Sequence, residues 1–233
     1  MPGGGAGDRG RQAAQPARAG RATGAAAGRD RARGAAPKLT AAIGRAEATA
    51  DLDTLRGIEG QAARGYFAAY RAAFDPAWAF TDRNRRPPRD PINALLSLGY
   101  SLLTQNVMTA LEGVGLDPYL GYFHSEVYNR PALALDLVEE FRAPVVDSLT
   151  LWLANRRILR PEDFRPGEGG GVELTDRGLR EYLGQFSRKL ESAVLVRELE
   201  RKLSYRKLLE VQARRLARVV TGDEESYRAF RAR

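Results

Sequence analysis

The sequence predicts an all-α fold, and three observations carry that prediction. Apolar residues recur at spacings of three and four along most of the chain from Leu39 onward. Helix-start chemistry stands where those periodic runs begin, most plainly at Asp90-Pro91. Strand signals are nearly absent. With 43% hydrophobic residues among 233, the chain can bury one sizeable core, or a core plus a small subdomain.

Residues 1–38 are almost entirely Gly, Ala, Arg and Pro, without an aromatic or branched apolar side chain. Such a segment cannot bury enough surface to offset its chain entropy, so a disordered tail is expected there. The α-helical domain is expected over 39–233. Leu52, Leu55, Ile58, Ala62, Tyr66, Phe67 and Tyr70 mark its first long helix, with Asp51 or Asp53 as N-cap and an end before Asp75-Pro76. Thr81 to Arg89 reads as a basic loop. Asp90 then caps a helix with Pro91 at its first position, running to about Gly113, and Asn93, Ser97, Ser101 and Thr104 form a polar stripe along it. Those polar residues make the apolar stretch Ile92–Leu111 a buried helix rather than a membrane span.

Gly113 to Tyr122 reads as a turn-rich connection. Pro131 opens a helix carrying Asp136 and Glu139, and Pro144 ends or kinks it. Val145 to about Ile158 continues as an apolar helix closing with Arg156 and Arg157. Pro161 to Gly171 is a loop with a glycine-rich end, and Val172–Leu174 a short strand or an extended approach to the next helix. Thr175 or Asp176 caps that helix, whose expected buried face is Leu179, Tyr182, Leu183, Phe186 and Leu190. A final long helix is expected from about Val194 to Val220, followed by a short tail.

The formal net charge is +8. The first 38 residues hold +6 of it and the remaining 195 only +2, so the basic character belongs mainly to the tail and says little about the folded part. The absence of cysteine excludes disulfides and thiolate zinc sites and fits a reducing cytosol. No apolar run marks a signal peptide at the N-terminus. Several chemistries fail on sequence. There is no Gly-x4-Gly-Lys-Ser/Thr phosphate loop, and Gly167–Gly171 is not set between strand and helix as a dinucleotide fingerprint would be. One histidine excludes His-Glu-x-x-His zinc chemistry.

What remains is carboxylates and one imidazole. Asp136 and Glu139, at i and i+3, share a face of a largely apolar helix, where a metal ion or an arginine can compensate them. Glycines 57 and 60 flank Glu59, each costing about 1 kcal/mol within a helix relative to alanine. They point to close approach of a backbone or a ligand, or simply to tight packing with Glu59 paired to an arginine. His124 alone reads most simply as a hydrogen-bonded core or surface residue, and Asp136 and Glu139 alone as a solvated face. Together, one imidazole with two or three carboxylates favours Mg2+ or Mn2+, manganese accepting the nitrogen more readily. Such an ion would polarise a phosphodiester oxygen and activate an attacking hydroxyl. Candidate phosphate contacts are Arg64, Arg83, Arg85, Arg86, Arg89, Arg156 and Arg157, for which solubility and salt bridging are the plain alternatives.

The segments Leu55-Arg-Gly-Ile-Glu59-Gly, Asp90-Pro-Ile-Asn93-Ala-Leu-Leu-Ser-Leu-Gly-Tyr100, Gly115-Leu-Asp-Pro-Tyr-Leu-Gly-Tyr-Phe-His124 and Arg130-Pro-Ala-Leu-Ala-Leu-Asp136-Leu-Val-Glu139-Glu-Phe-Arg142 occur in this order. They resemble the CRISPR-associated adaptation integrase and endonuclease, the "Cas one" (Cas1) family, and the likeness runs from about Leu39 to the end. The resemblance implies a helical catalytic domain with a divalent metal site whose ligands fall on Glu59, His124 and Glu139, with Asp136 as a nearby acidic participant. It implies a homodimer that works with the small "Cas two" (Cas2) partner on double-stranded or branched DNA. There it inserts foreign segments into a CRISPR array by attack of a DNA 3′-hydroxyl on a phosphodiester, and it can also cleave DNA. The family carries an N-terminal β-rich domain. Low-complexity sequence stands in its place here, which raises the alternative of a truncated, catalytically silent DNA-binding or assembly module.

Overall fold

The computed structural model describes residues 40–46, 48–121 and 130–231. The predicted tail at 1–38 and His124 therefore lie outside the described residues. The chain divides into two units, Met1–Asp75 and Pro76–Arg233.

In the first unit, a helical segment at 40–46 precedes α1 (Leu52–Arg71). Asp51 is the N-cap: its carboxylate accepts from the Thr54 backbone N–H at 2.8 Å and from the Thr54 hydroxyl at 2.5 Å. α1 ends before Asp75-Pro76, where sequence placed the break. Tyr66, Phe67, Tyr70 and Phe74 form an aromatic cluster along its last turns, with ring centroids 4.9–6.1 Å apart.

The second unit is built around α2 (Pro91–Glu112), which opens as the sequence predicts. Asp90 accepts from the Asn93 backbone N–H at 2.9 Å, and Pro91 occupies a first-turn position whose N–H would have no partner anyway. Ile92, Leu95, Leu96, Leu103, Val107 and Leu111 are fully buried. Against α2 pack α3 (Ala132–Phe141), a π-helical turn (Arg142–Asp147) and, after α4 (Ser148–Asn155) and α5 (Asp176–Glu191), the last helix α6 (Tyr205–Thr221). The π turn is the answer to Pro144, which has no N–H for an α-helical ladder; the chain widens by one residue instead of stopping. Thr175 caps α5, accepting from the Gly178 backbone N–H at 3.2 Å. Tyr182 of α5 crosses α2 at Gly99 and donates to the Leu95 carbonyl at 3.1 Å. Glycine is required at this crossing, because a Cβ on residue 99 would stand 2.2 Å from the tyrosine oxygen and 2.5 Å from Cγ1 of Val146.

The structure corrects the all-α expectation in two places. The fold is mostly helical, but it contains two antiparallel two-stranded sheets. β1 (Phe164–Pro166) pairs with β2 (Val172–Leu174) in the register Phe164 to Leu174, so Val172–Leu174 is a strand. β3 (Ala193–Val196) pairs with β4 (Arg201–Ser204), Ala193 opposite Ser204. The last helix therefore starts at Tyr205 rather than near Val194. Its true N-cap is Ser204, which accepts from the Lys207 backbone N–H at 3.2 Å. The run Val194-Leu195-Val196 favours the pleated conformation, and Glu200, at φ 50°, turns the chain between the strands.

A smaller correction concerns α5. Its buried side is Gly178, Tyr182, Phe186 and Leu190, whereas Leu179 and Leu183 remain 37% and 40% exposed. After Gly222 the chain folds back so that Phe230 stacks on Phe141 at 5.7 Å. No helix among the described residues is long and apolar enough to cross a membrane.

Candidate functional site

The site is built at the start of α2 and along α3, both in the second unit. Asn93, fully buried one turn into α2, ties the basic loop to the helix. Its Nδ2 donates to the Asp82 carbonyl at 2.8 Å and to the Asp90 carboxylate at 2.6 Å. Its Oδ1 accepts from the Asn84 backbone N–H at 3.0 Å and from Arg83 Nη1 at 2.8 Å. All four hydrogen-bonding positions of the amide are filled, which is how a buried polar side chain becomes tolerable. The turn between β1 and β2 braces the loop as well. The Val172 N–H donates to the Pro88 carbonyl at 2.8 Å, and a Cβ on Gly171 would stand 2.9 Å from the Pro87 side chain.

This anchoring separates Arg83 from the other loop arginines. Arg83 folds back along α2, donating to the Asn84 carbonyl, to Asn93 and, at 3.2 Å, to the Ser97 hydroxyl. Its guanidinium carbon lies 5.5 Å from the centre of the Tyr100 ring. Burial pulls its pKa below the ordinary guanidinium value. Arg85, Arg86 and Arg89, by contrast, are exposed and form no ion pair among the described residues. Arg156 and Arg157 are exposed at the end of α4, and Arg64 is exposed on α1 in the first unit.

Tyr100 is the centre of the second half of the site. Arg142 lies over its ring at 4.4 Å, and the phenol donates to Oδ1 of the buried Asp147 at 2.5 Å. Burial first, and then Asp147, push the phenol well above its ordinary pKa, so it stays a donor. Arg142 Nη1 in turn holds Glu139 Oε1 at 2.6 Å. Burial works against the Arg142 charge, but Glu139 and Tyr100 outweigh it and raise its pKa. Glu139 Oε2 has no hydrogen-bond partner among the described residues, and the side chain is 44% exposed. Asp136, one turn earlier, is half-buried and also carries an interaction.

The neighbouring Glu140 has a different task. Its carboxylate accepts from the Tyr227 hydroxyl, from Gln212 Nε2 at 2.8 Å and from the Phe230 N–H at 2.7 Å, fastening the C-terminal segment. Burial raises its pKa, although those three donors oppose the shift.

Of the sequence-predicted site residues, then, the ligand Glu139 and its acidic neighbour Asp136 stand on α3 of the second unit, the ligand Glu59 is exposed on α1 of the first, and His124 lies outside the described residues. Among the described residues no three carboxylates or imidazoles gather closely enough to hold a metal. The donor chemistry nonetheless suits a hard divalent ion: one oxygen of Glu139 is fixed by a guanidinium and the other has no partner among the described residues, on the helix that also carries Asp136. Tyr100, Arg142 and Asp147 are site residues that local sequence reasoning missed. Tyr100 and Arg142 close two of the motifs quoted above, but only their contact in space shows a role.

A family model described as CRISPR associated protein Cas1 matches residues 11–188. A CRISPR-associated endonuclease Cas1 of Moorella thermoacetica is 46% identical over 183 residues, covering 77% of this chain and 53% of that relative. A casposase bound to an integration product is similar in structure, with a TM-score of 0.70 and 28% identity over 76% of this chain and 50% of the other. A chain of a Cas6-RT-Cas1–Cas2 complex gives a TM-score of 0.77 and 25% identity, covering 88% of this chain and 22% of the other. The chain spans about half the length of the curated relatives it matches.

Proposed function

The chain belongs to the CRISPR associated protein Cas1 family, and from that premise we propose that it is a metal-dependent DNA endonuclease and integrase that inserts foreign DNA segments as new spacers into a CRISPR array. In the insertion step, the 3′-hydroxyl oxygen of an incoming DNA end forms a bond to a target phosphorus while the bond from that phosphorus to its leaving 3′ oxygen breaks. Glu59, His124 and Glu139 would hold Mg2+ or Mn2+, with Asp136 as the adjacent acid. When bound, the ion supplies Lewis-acid polarisation of the phosphoryl oxygen and lowers the cost of deprotonating the attacking hydroxyl.

The observation that carries this reading is the state of Glu139: exposed on a helix whose apolar residues are mostly buried, with one oxygen held and the other without a hydrogen-bond partner among the described residues. Arg85, Arg86 and Arg89 position backbone phosphates without reading bases, and Arg64, Arg156 and Arg157 are further phosphate contacts. Arg83 acts from behind, bracing the loop. The likeness to a casposase bound to an integration product supports strand transfer. The likeness to a chain of a Cas1–Cas2 complex supports a small Cas2 partner, with which the protein would act as a homodimer on double-stranded or branched DNA.

The test is Mn2+-dependent cutting of branched DNA by wild type and by His124→Ala. Wild type is expected to cut, and the variant to lose that activity by at least about a hundredfold, the scale of a catalytic metal's contribution. Equal cutting by both would remove the proposed site. DNA binding by wild type without metal-dependent turnover would leave a silent assembly module.

A further inference from the structure

We propose that Arg142 is a positioning residue that sets the Glu139 carboxylate for a divalent cation, and that Tyr100 and Asp147 set Arg142. The proposal rests on the reading of Glu139 as a metal ligand. An arginine–glutamate pair at i and i+3 on a helix surface is ordinarily worth little, because two long side chains must be ordered in water. Here the ordering is built in. The π turn Arg142–Asp147 begins at the arginine and ends at the aspartate, and it brings both to the same tyrosine. Asp147, 4% exposed, accepts the phenol hydrogen and fixes the ring; the ring face fixes the guanidinium plane at 4.4 Å; and the guanidinium holds Glu139 Oε1 at 2.6 Å. Arg83, tied to Asn93 and Ser97, lies 5.5 Å from the centre of the same ring.

The outcome is a carboxylate with one oxygen occupied and the other without a partner among the described residues. A planar guanidinium can stack and donate in its own plane at once, whereas an ammonium cannot. Partners that hydrogen-bond a ligating carboxylate typically contribute about 10–100-fold to metal affinity.

The experiment is Mn2+ titration of the full chain, read by loss of the free-Mn2+ electron paramagnetic resonance signal. The proteins are wild type, Glu139→Gln, Arg142→Gln, Arg142→Lys and Tyr100→Phe, each checked for folding by circular dichroism. Arg142→Gln is expected to weaken Mn2+ binding by about 10–100-fold, Arg142→Lys to recover part of the loss, and Tyr100→Phe, which keeps the ring and drops its anchor, to lose less than Arg142→Gln. Wild-type affinity in Arg142→Gln beside a loss in Glu139→Gln would overturn the positioning role and leave the ligand reading standing. Wild-type affinity in Glu139→Gln would remove the ligand reading itself, and this proposal with it. Should Arg142→Gln fail to fold, Tyr100→Phe decides: unchanged affinity overturns the proposal and reduced affinity supports it.

Discussion

Asn93 holds the start of α2 and the basic loop together with one side chain. Asn93→Ala leaves the Asn84 N–H, the Asp82 carbonyl and one Arg83 donor short of a partner. A buried group left unsatisfied costs about 1–3 kcal/mol, and these three are only part-buried, so the low end applies to each and the unfolding free energy should fall by about 3 kcal/mol in urea denaturation; a loss under about 1 kcal/mol would show the network to be replaceable by water. Glu139 and Glu140 show how much one residue of rotation matters. The first is exposed, and the second is a clamp on the C-terminal segment. Because the folded pKa of Glu140 is raised, the folded state binds its proton more tightly than the unfolded chain does. That contribution is fully present below the ordinary carboxylate value and is lost as pH rises through the folded value. Wild type should therefore lose stability relative to Glu140→Gln as pH rises above about 4.3, an unperturbed glutamate's pKa. A relative gain as pH rises, in urea melts of the pair, would contradict the assignment. Sequence alone showed neither difference. Arg83 reads like its neighbours in the loop, and only Asn93, ten positions away, separates them.

Caps and stops between elements were legible because their chemistry is local. Asp51, Asp90-Pro91 and Thr175 each announce a helix start, and Pro144 a disturbance within one. The β3–β4 hairpin was not legible. Residues 193–204 mix good helix formers with Val194 and Val196, and cross-strand pairing settles the choice, which no window of sequence contains. The crossing of α5 over α2 has the same origin, since Gly99 and Tyr182 lie far apart in the chain. In an exposed helix interior, Gly99→Ala would be favourable by about 1 kcal/mol. Here the clash with Tyr182 and Val146 should dominate and cost about 1–3 kcal/mol net, read as a lowered urea midpoint. A stabilised variant would mean that the helices can part at no cost.

Across the molecule, the helical class and the family were legible, because four ordered motifs survive whatever the tertiary packing does. The arrangement around Tyr100 was not: Arg83, Tyr100, Arg142 and Asp147 come from three segments, and periodicity reports only neighbours along the chain. The central claim is that Glu59, His124 and Glu139 serve one cation during phosphodiester transfer. Its most direct measurement is Mn2+-dependent joining of a DNA 3′ end into a target duplex by wild type and by Glu59→Ala, His124→Ala and Glu139→Ala, with DNA binding followed in parallel by anisotropy. Wild type is expected to join the strands. Each variant should bind DNA as wild type does while joining falls by about a hundredfold or more. Wild-type joining by any one of the three variants would contradict the account.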